Sequence, residues 1–323
     1  MQQAFSQLEI KESILNPAEW TAVDDDTPLP LQQHPTYGDA VASFGATARQ
    51  LTIRDNDKTI ALALIIKRKF FGVICFSTLF RGPAWCQPGL TTDQKLDVYR
   101  AIHGRFSRWK WDFLASLPEL SDTPEYISGL NKTGLTRVMT GFSTAWIDLR
   151  PNEETLRKQL KGKWRNQLVK AEKAEVTESL KISFGGKKSH QYSWLLEKEI
   201  EQRDNRRYQA TPLGIVPAFE AAITPKSQSA ILSATALHGR RKVAGGLFLL
   251  HGNSATYHIG WAGDDGRALN AQNRVLWETM LELKKRGIKF LDLGGLNTAD
   301  LGGIARFKLG TGAEPLTLAG TFV

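Results

Sequence analysis

The segment with the clearest chemical potential is a predicted strand that ends in an aspartate and two glycines. Asp292 is followed by Gly294 and Gly295, and glycine lets the backbone approach a bound molecule closely because it has no Cβ. Further along, Lys308 follows Phe307 in a glycine-rich stretch. A lysine in such a place could offer positive charge to the oxyanion that forms during acyl transfer. The segment is therefore a candidate site for stabilising an oxyanion.

Asp292 and Lys308 each have a purely structural alternative. Asp292 shares a strand face with Phe290, so we expect it to be partly buried and to need a partner such as Arg306. The alternative is that the aspartate only caps the loop that follows it. For Lys308 the alternative is an ordinary surface lysine, which the glycine-rich setting disfavours.

A second candidate is the basic stretch from Arg157 to Lys173, where seven positive residues accompany one acidic residue. Its apolar residues recur at helical spacing, which predicts one amphipathic helix with two basic flanks. The flanking residues that could bind phosphate groups are Lys163, Arg165 and Lys170. The alternative is a surface helix with no ligand. Gly162 inside such a helix costs about 1 kcal/mol relative to alanine, so we expect a close approach there.

A third candidate follows a predicted strand in the first half of the chain, where the sequence reads Arg81-Gly82-Pro83. Arg81 is the candidate substrate-binding residue of this segment. The alternative is a simple turn, for which glycine and proline are the usual residues.

The composition favours a soluble protein with an anionic partner. The 323 residues carry a net charge of +9 and give a pI of about 9.5, which favours RNA, phosphorylated small molecules or a membrane surface. The sequence contains no run of about 20 apolar residues and begins with nothing that resembles a secretory signal. We therefore expect a cytoplasmic protein.

Several other chemistries find no support in the sequence. The two cysteines, Cys75 and Cys86, and the six histidines have no metal-ligand spacing, so we expect no metal site. The GxSxG, HExxH and Walker motifs of hydrolases, zinc proteases and nucleotide-triphosphate-binding proteins are missing as well.

The elements that would position these residues occur in the same order in both halves of the chain. In the first half, strands are predicted over residues 49–54, 59–67 and 71–80, a helix over 91–109 and a strand over 111–117. In the second half, strands are predicted over 230–237, 243–250 and 255–261, a helix over 271–286 and a strand over 288–293. A further strand is predicted over 144–149.

Three antiparallel strands followed by a helix and a strand form the core order of GNAT-type acyltransferases. The sequence thus predicts an α+β (α/β) protein made of two tandem GNAT-like domains. The predicted boundaries are 1–142 for the first domain and 143–323 for the second, which carries the catalytic segment. The alternative is a pair of unrelated α+β domains.

These segments together resemble the Fem family, the tRNA-dependent transferases that add amino acids to peptidoglycan precursors. Arg81-Gly82-Pro83 is similar to the family's RGP. The stretch from Trp146 through Lys163 and Arg165 to Lys170-Ala171 is similar to its DL…L…K.R..I.KA pattern. The third match comprises Asp292-Leu293-Gly294-Gly295 and Phe307-Lys308, which are similar to its D.GG and FK near the C-terminus.

The resemblance implies two GNAT-like domains with a cleft between them, no cofactor, and an acyl-transfer centre at Lys308 with Phe307 beside it. It also implies that Lys163 and Arg165 lie near phosphate groups of the acceptor or of tRNA. The long helical hairpin that some members insert in the second domain is absent, because the only candidate region, Arg203 to Lys226, is short and contains prolines.

The donor can be addressed through the start of the main helix of the second half. Acyl-CoA-using GNAT enzymes hold pyrophosphate with a Q/R-x-x-G-x-G/A turn, where backbone N–H groups meet the phosphates. Here the turn starts with Arg267, but Asn270 and Gln272 fill the two small positions. This favours an aminoacyl-tRNA donor over acyl-CoA.

The sequence therefore predicts a transferase that moves an aminoacyl group from charged tRNA to an amine of a phosphorylated or lipid-linked acceptor, such as a cell-wall precursor. Association with a membrane surface is compatible with the charge, and no DNA partner is expected. One alternative is an N-acyltransferase that uses acyl-CoA or an acyl carrier protein in polysaccharide or lipid tailoring. Another is a non-catalytic, GNAT-derived RNA-binding protein.

Overall fold

The chain folds into two units, each built around one sheet. The computed structural model describes residues 5, 7–206, 212–296 and 302–323. The first unit contains the residues up to Ser143 together with Ala221–Ser227 and Leu316–Val323, and the second contains Thr144–Glu220 and Gln228–Pro315.

The described residues form fifteen strands and ten α-helices. The strands are β1 Leu8–Ser13, β2 Thr47–Asp55, β3 Lys58–Phe70, β4 Ile74–Phe80, β5 Ala84–Trp85, β6 Asp112–Leu117, β7 Arg137–Met139, β8 Ser143–Asp148, β9 Leu180–Gly185, β10 Ser229–His238, β11 Arg241–His251, β12 Ser254–Ala262, β13 Phe290–Asp292, β14 Glu314–Thr317 and β15 Thr321–Phe322. The helices are α1 Pro35–Ala42, α2 Thr92–Gly104, α3 Pro124–Lys132, α4 Glu153–Gln159, α5 Gly162–Thr177, α6 Ser193–Arg206, α7 Ile215–Ala222, α8 Asp264–Ala268, α9 Ala271–Lys285 and α10 Gly302–Leu309.

The order of strands in the two sheets reproduces the predicted repeat. The first sheet runs β1-β2-β3-β4-β6-β15-β7, with β5 paired to β3, and the second runs β14-β8-β13-β12-β11-β10-β9. In the first unit β2, β3 and β4 are antiparallel, α2 follows, and β6 returns parallel to β4. In the second unit β10, β11 and β12 are antiparallel, α9 follows, and β13 returns parallel to β12.

The helix that follows the third strand has the expected apolar face in each unit. In α9, Val275, Leu276 and Leu283 are fully buried, as the helical spacing of apolar residues requires. The helix ends where predicted, because Gly287 adopts a left-handed φ of 80°, a conformation that glycine reaches without steric cost. In α2 a capping box at Thr91 and Gln94 fixes the start of the helix.

The end of the chain lies in the first unit, and this differs from the predicted domain boundaries. The division between Ser143 and Thr144 falls one residue beyond the predicted one, but Ala221–Ser227 and Leu316–Val323 belong to the first unit rather than the second. The physical reason is at the last strand, where Phe322 pairs with Ser116 of β6 and its side chain is fully buried in the first core. The second domain therefore does not extend to residue 323.

The basic stretch is two helices instead of the predicted single helix. Its apolar stripe is buried as expected, through Leu156, Leu160, Trp164, Leu168 and Ala171. However, α4 ends at Gln159 and α5 begins at Gly162, because Leu160 adopts an extended ψ of 132°. Gly162 is therefore the first residue of α5, and a Cβ added to it would meet no atom within 4 Å, so the expected close approach at this glycine does not occur.

No helix among the described residues is both long enough and apolar enough to cross a membrane.

Candidate active site

The two units differ in how long their parallel strands stay together. In the first unit β4 and β6 pair at six positions, the full length of β6. In the second unit β12 and β13 pair at only three positions, the last of which joins Thr256 to Asp292, although β12 continues to Ala262. Beyond this point β13 no longer covers the edge of β12, so backbone N–H and C=O groups of β12 can meet a bound molecule. The predicted acyl-transfer residues begin where the strands separate.

Asp292 is the last residue of β13 and its carboxylate is buried. The residue is 1% exposed, and its Oδ1 accepts hydrogen bonds from the Thr144 hydroxyl and the Gly294 backbone amide, both at 2.7 Å. Arg306 is exposed, and its Nε donates to the carbonyl of Gly302 at 3.2 Å. The predicted pairing of Asp292 with Arg306 is therefore wrong, because β8 supplies a hydroxyl from the neighbouring strand.

The two glycines after Asp292 form the turn that lies against the lysine. Gly294 adopts a left-handed φ of 70°, and a Cβ at this position would lie 3.9 Å from the Lys308 Nζ and 3.7 Å from the Tyr257 carbonyl oxygen. The Nζ of Lys308 donates a hydrogen bond of 2.8 Å to the carbonyl of Gly295. The turn thus brings Asp292, Gly294, Gly295 and Lys308 together, as the sequence predicts.

The amine of Lys308 has an altered acidity. The side chain is half-buried, and burial lowers the pKa of Lys308 from its ordinary value to about 8, while the nearby carboxylate of Asp292 acts in the opposite direction. At neutral pH the amine is still mostly protonated, but its proton can be given up within the physiological range. A group of this kind can stabilise a developing oxyanion when charged, or accept a proton when neutral.

Phe307 holds the helix that carries Lys308. Its ring packs against the core of the second unit and lies 5.9 Å from the ring of Trp164, which is 3% exposed. The carbonyl of Gly310, just after α10, accepts a hydrogen bond of 2.9 Å from the Lys161 amide. We therefore interpret Phe307 as a positioning residue that fixes α10 against α5, beside the predicted acyl-transfer centre at Lys308.

Gly310 offers a test of this contact between α10 and α5. A Cβ added to Gly310 would lie 2.6 Å from Cδ1 of Trp164. Two carbon atoms cannot approach so closely unless Trp164 or the backbone moves. We expect Gly310→Ala to lower the free energy of unfolding by about 1–3 kcal/mol and to reduce transfer activity, because the buried Trp164 has little room to shift. Urea denaturation measures the first effect.

Gly303, which lies inside α10, is the matched control for that substitution. Gly303 is exposed and has no atom within 4 Å of a Cβ position, so Gly303→Ala should leave stability unchanged or raise it by up to about 1 kcal/mol through helix propensity. Equal effects of the two alanine substitutions would contradict the proposed contact.

The basic residues predicted to bind phosphate lie on the surface of α5. The exposed residues of this group are Lys163, Arg165 and Lys170. In the described part of the chain no acidic side chain pairs with any of them. In contrast, Arg157 and Arg274 both pair with Glu172, and Arg274 also contacts Glu175 and Glu278, so acidic side chains offset the charges of these two arginines. Lys163 and Lys170 lie on one flank of α5 and Arg165 lies on the other. Lys163 and Arg165 belong to the turn of α5 that contacts α10 through Trp164.

Arg81 has a structural position that does not suit substrate binding. Its side chain is 3% exposed, and its Nε and one terminal nitrogen donate to the two carboxylate oxygens of Glu119, each at 2.6 Å. Removing one partner of such a buried pair is costly, and a substrate would have to compete with Glu119. The alternative considered for this motif, a structural turn, fits Arg81 better than the predicted substrate-binding role.

The first turn of α9 is filled by side chains. Asn270 precedes the helix in a left-handed conformation with φ of 52°. The Nε2 of Gln272 donates to the carbonyl of Gly245 at 3.2 Å and to the hydroxyl of Tyr257 at 2.6 Å. This side chain therefore ties the start of α9 to β11 and β12.

Other polar groups beside β12 could not be identified from the sequence. Glu199 of α6 is 5% exposed and accepts a hydrogen bond of 2.8 Å from Nε of Arg203. Burial, assisted by the charge of Arg203, lowers the pKa of His258 to about 4, and the buried Nε2 of this histidine has no hydrogen-bond partner among the described residues. Thr144 was also missed, because its partner Asp292 is 148 residues away and no local pattern reveals such a contact.

Comparison with known protein families agrees with the resemblance predicted from the sequence. Residues 219–323 match the model of the FemAB family, and this segment includes both Asp292 and Lys308. Among curated protein sequences, no match is found.

Solved structures resemble the chain along nearly its whole length. The crystal structure of FemX is 11% identical, covers 97% of this chain and 96% of its own, and gives a TM-score of 0.75. A tandem GNAT protein from the clavulanic acid biosynthesis pathway is 10% identical, covers 98% of both chains and gives a TM-score of 0.54. A conserved protein of unknown function from Bacteroides thetaiotaomicron VPI-5482 is 13% identical, with coverages of 97% and 98% and a TM-score of 0.57. At these identities the structural likeness concerns the fold.

The comparisons confirm two predictions made from the sequence. The resemblance to FemAB proteins is confirmed by the family match over the C-terminal third. The tandem GNAT-like architecture is confirmed by the two sheets and by the similarity to FemX and to the tandem GNAT protein.

Proposed function

We propose that this FemAB-like acyltransferase moves an aminoacyl group from a charged tRNA to an amine of an anionic acceptor. The observation that carries the proposal is the position of the Lys308 amine. It lies against the Asp292–Gly295 turn, beside the edge of β12 that β13 leaves uncovered. A cation at such an edge can stabilise the negative charge that develops on an ester carbonyl oxygen when an amine attacks it.

The proposed reaction forms an amide bond and breaks an ester bond. The acceptor amine attacks the carbonyl carbon of the aminoacyl ester, and the carbonyl oxygen becomes an oxyanion that the Lys308 ammonium stabilises. When the tetrahedral species collapses, the bond to the ribose oxygen breaks. The amine nitrogen loses one proton and the departing ribose oxygen gains one, so no external oxidant or cofactor is needed. Asp292 acts by holding the turn and by favouring the charged form of Lys308.

The start of α9 supports tRNA over coenzyme A as the carrier of the acyl group. A pyrophosphate cradle needs backbone N–H groups that are free of nearby side chains. Here Gln272 directs its side chain across to Gly245 and Tyr257, and Asn270 occupies the other position that a small residue would take. Both side chains would obstruct the close approach of a pyrophosphate group.

The exposed basic residues on the two flanks of α5 support a phosphate-bearing substrate. Lys163, Arg165 and Lys170 are exposed on the helix that contacts α10 through Trp164 and Phe307. We propose that these residues bind backbone phosphates of the tRNA or phosphate groups of the acceptor. The resemblance to Fem proteins favours a peptidoglycan precursor as that acceptor.

The donor experiment separates this function from its main rival. The purified protein would be incubated with a pool of labelled aminoacyl-tRNAs, and separately with labelled acetyl-CoA, each together with nucleotide-linked and lipid-linked peptidoglycan precursors. We expect label in the precursor only from the aminoacyl-tRNA pool. A product that forms only from acetyl-CoA would refute the proposed donor and favour an N-acyltransferase.

The role of these basic residues can be tested by reversing one charge. We expect Arg165→Glu to weaken tRNA binding and to remove about one to two phosphate contacts. Each contact contributes about 0.7–0.9 to the slope of the logarithm of the binding constant against the logarithm of the salt concentration, so that slope should become shallower by this amount per contact. The measurement is a filter-binding or fluorescence titration at several salt concentrations.

Lys173 provides the matched control for Arg165, because it is exposed near the other end of the same helix. Lys173→Glu makes an identical change in net charge, and we expect it to leave the salt slope nearly unchanged. If both reversals lowered the slope equally, the effect would reflect overall charge, and the assignment of Arg165 to a phosphate would be wrong.

A further inference from the structure

The hairpin between β3 and β4 ends in exposed apolar side chains. Phe71 is 92% exposed and Val73 is 71% exposed, and the preceding Phe70 is 49% exposed. Exposure of single apolar residues is ordinary, but a contiguous group of this size at one place on the surface of a folded unit usually marks an interaction site.

A second loop places two tryptophans next to this hairpin. Trp109 is 96% exposed and Trp111 is 57% exposed. Trp111 lies beside the start of β4 because the Cys75 amide donates to the Trp111 carbonyl at 2.8 Å. Trp109 is two residues before it in the same loop. Their neighbours extend the apolar surface, since Trp111 contacts Phe113 edge-on at 6.5 Å and Phe113 pairs in register with the 40% exposed Phe76. We call Phe70, Phe71, Val73, Trp109 and Trp111 the aromatic tip.

The backbone at the end of the hairpin does not favour an aromatic residue. Phe71 and Gly72 form the two central positions of the turn, with φ values of 51° and 74°, and the Val73 amide donates to the Phe70 carbonyl at 3.3 Å. Asparagine and glycine suit such left-handed positions, whereas a bulky side chain is strained there. In water, Phe71 lowers the stability of the protein through both its exposure and its backbone conformation. We therefore interpret Phe71 as a residue that contacts a binding partner.

The aromatic tip is flanked by positive charge. Three exposed basic residues lie next to its members in sequence, namely Arg68, Lys69 and Lys110. In the described part of the chain none of the three forms an ion pair, and residues 67–76 contain no acidic residue. Their charges therefore remain available to an anionic partner.

We propose that the aromatic tip docks the first unit onto a membrane surface that contains anionic phospholipids. Tryptophan and phenylalanine suit the headgroup region, where an apolar ring can leave water without crossing the bilayer. The three basic residues would meet the lipid phosphates. A projecting turn favours lipid over a protein partner, because it can enter a fluid surface without a matching concave site. This proposal is independent of the proposed acyl transfer.

The proposal is tested by sedimenting the purified protein with phosphatidylcholine vesicles that do or do not contain phosphatidylglycerol. We expect the wild type to bind vesicles with phosphatidylglycerol and Phe71→Asn to bind about tenfold more weakly, as the loss of one buried phenylalanine implies. Because asparagine suits the left-handed turn, the melting temperature of this variant should be at least that of the wild type. Lys69→Gln and Lys110→Gln should each weaken binding to the anionic vesicles about fivefold.

Val176 supplies the matched control, since it is 87% exposed on α5 in the second unit. Val176→Asn should bind vesicles as the wild type does. A wild-type protein that remains in the supernatant with phosphatidylglycerol vesicles would overturn the proposal, and so would a Phe71→Asn protein that binds them equally well. A concentration-dependent dimer that disappears in Phe71→Asn, without any vesicle binding, would assign the tip to a second copy of the chain instead.

Discussion

Replacing Lys308 with glutamine is expected to lower kcat/KM for aminoacyl transfer by about 10²–10³-fold, the range observed when an oxyanion-stabilising group is removed. The substitution keeps a polar side chain with a hydrogen-bond donor, one bond shorter than lysine, but removes the positive charge beside the Gly295 carbonyl. Steady-state kinetics with charged tRNA measures the effect. Since the charge of Lys308 is disfavoured by burial, the variant should not unfold at a lower temperature than the wild type.

The pH dependence distinguishes the two roles that a lysine can have at this site. With a pKa of about 8, Lys308 is protonated below that pH and neutral above it. If the charged form stabilises the oxyanion, the ratio of wild-type to Lys308→Gln activity should fall as the pH rises through about 8. Taking the ratio cancels the titration of the acceptor amine, which is the same in both reactions. A ratio that rises through about 8 would assign Lys308 as a base.

A distant lysine provides the control for this prediction. Lys285 is exposed on the last turn of α9, and Lys285→Gln removes the same charge without touching the Asp292–Gly295 turn. We expect its activity and pH profile to match those of the wild type. If Lys308→Gln behaved in the same way as Lys285→Gln, the proposed active site would be wrong.

The sheet and helix pattern could be predicted because its signals are local. The alternation of buried strands and tight turns gives β10, β11 and β12 within a few residues of their observed limits. The limits of α9 could be predicted as well, because its apolar spacing and its C-terminal glycine lie in one continuous segment of the sequence. The place of β15 could not be predicted, because a two-residue strand has no periodicity and its pairing with β6 and β7 depends on the folded first unit.

The division of the basic stretch into α4 and α5 could not be predicted, because the apolar residues of the stretch keep a regular helical spacing. The apolar stripe continues at helical spacing through Leu160 and Trp164, and both are buried, as one uninterrupted helix would also require. The interruption depends on a tertiary contact, in which the amide of Lys161 donates to the carbonyl of Gly310. A pattern within the stretch cannot reveal a hydrogen bond to a residue so far along the chain.

The candidate site was predictable in its centre but not in its partners. The residues that meet at this turn come from the end of β13 and from the next helix, α10. They are Asp292, Gly294, Gly295 and Lys308. The partner of Asp292 was predicted from charge alone, which favoured Arg306, but a buried carboxylate can equally be satisfied by neutral donors. Burial of the Arg81 guanidinium against Glu119 likewise depends on an acidic residue that lies outside its motif.

Asp292→Asn is the second substitution with a large expected effect, and it tests how the carboxylate acts. The asparagine Oδ1 can still accept the hydrogen bonds from Thr144 and Gly294, but its charge is lost. Because the charge of Asp292 raises the pKa of Lys308 against the effect of burial, that pKa should fall below about 8. We expect kcat/KM at pH 8 to fall about tenfold, with a smaller loss at lower pH where Lys308 regains its proton.

The hydrogen bond and the charge of Asp292 can be separated with a second variant. Thr144→Val removes the hydroxyl that donates to Asp292 and leaves the carboxylate in place. We expect it to lower the free energy of unfolding by about 1–3 kcal/mol. It should not move the pH at which the contribution of Lys308 to activity is lost as the pH rises. Asp292→Asn should move that pH downward. If Asp292→Asn left the pH profile unchanged and reduced only stability, Asp292 would be confined to capping the loop, since a carboxylate that favours the charged lysine cannot be neutralised without shifting the profile.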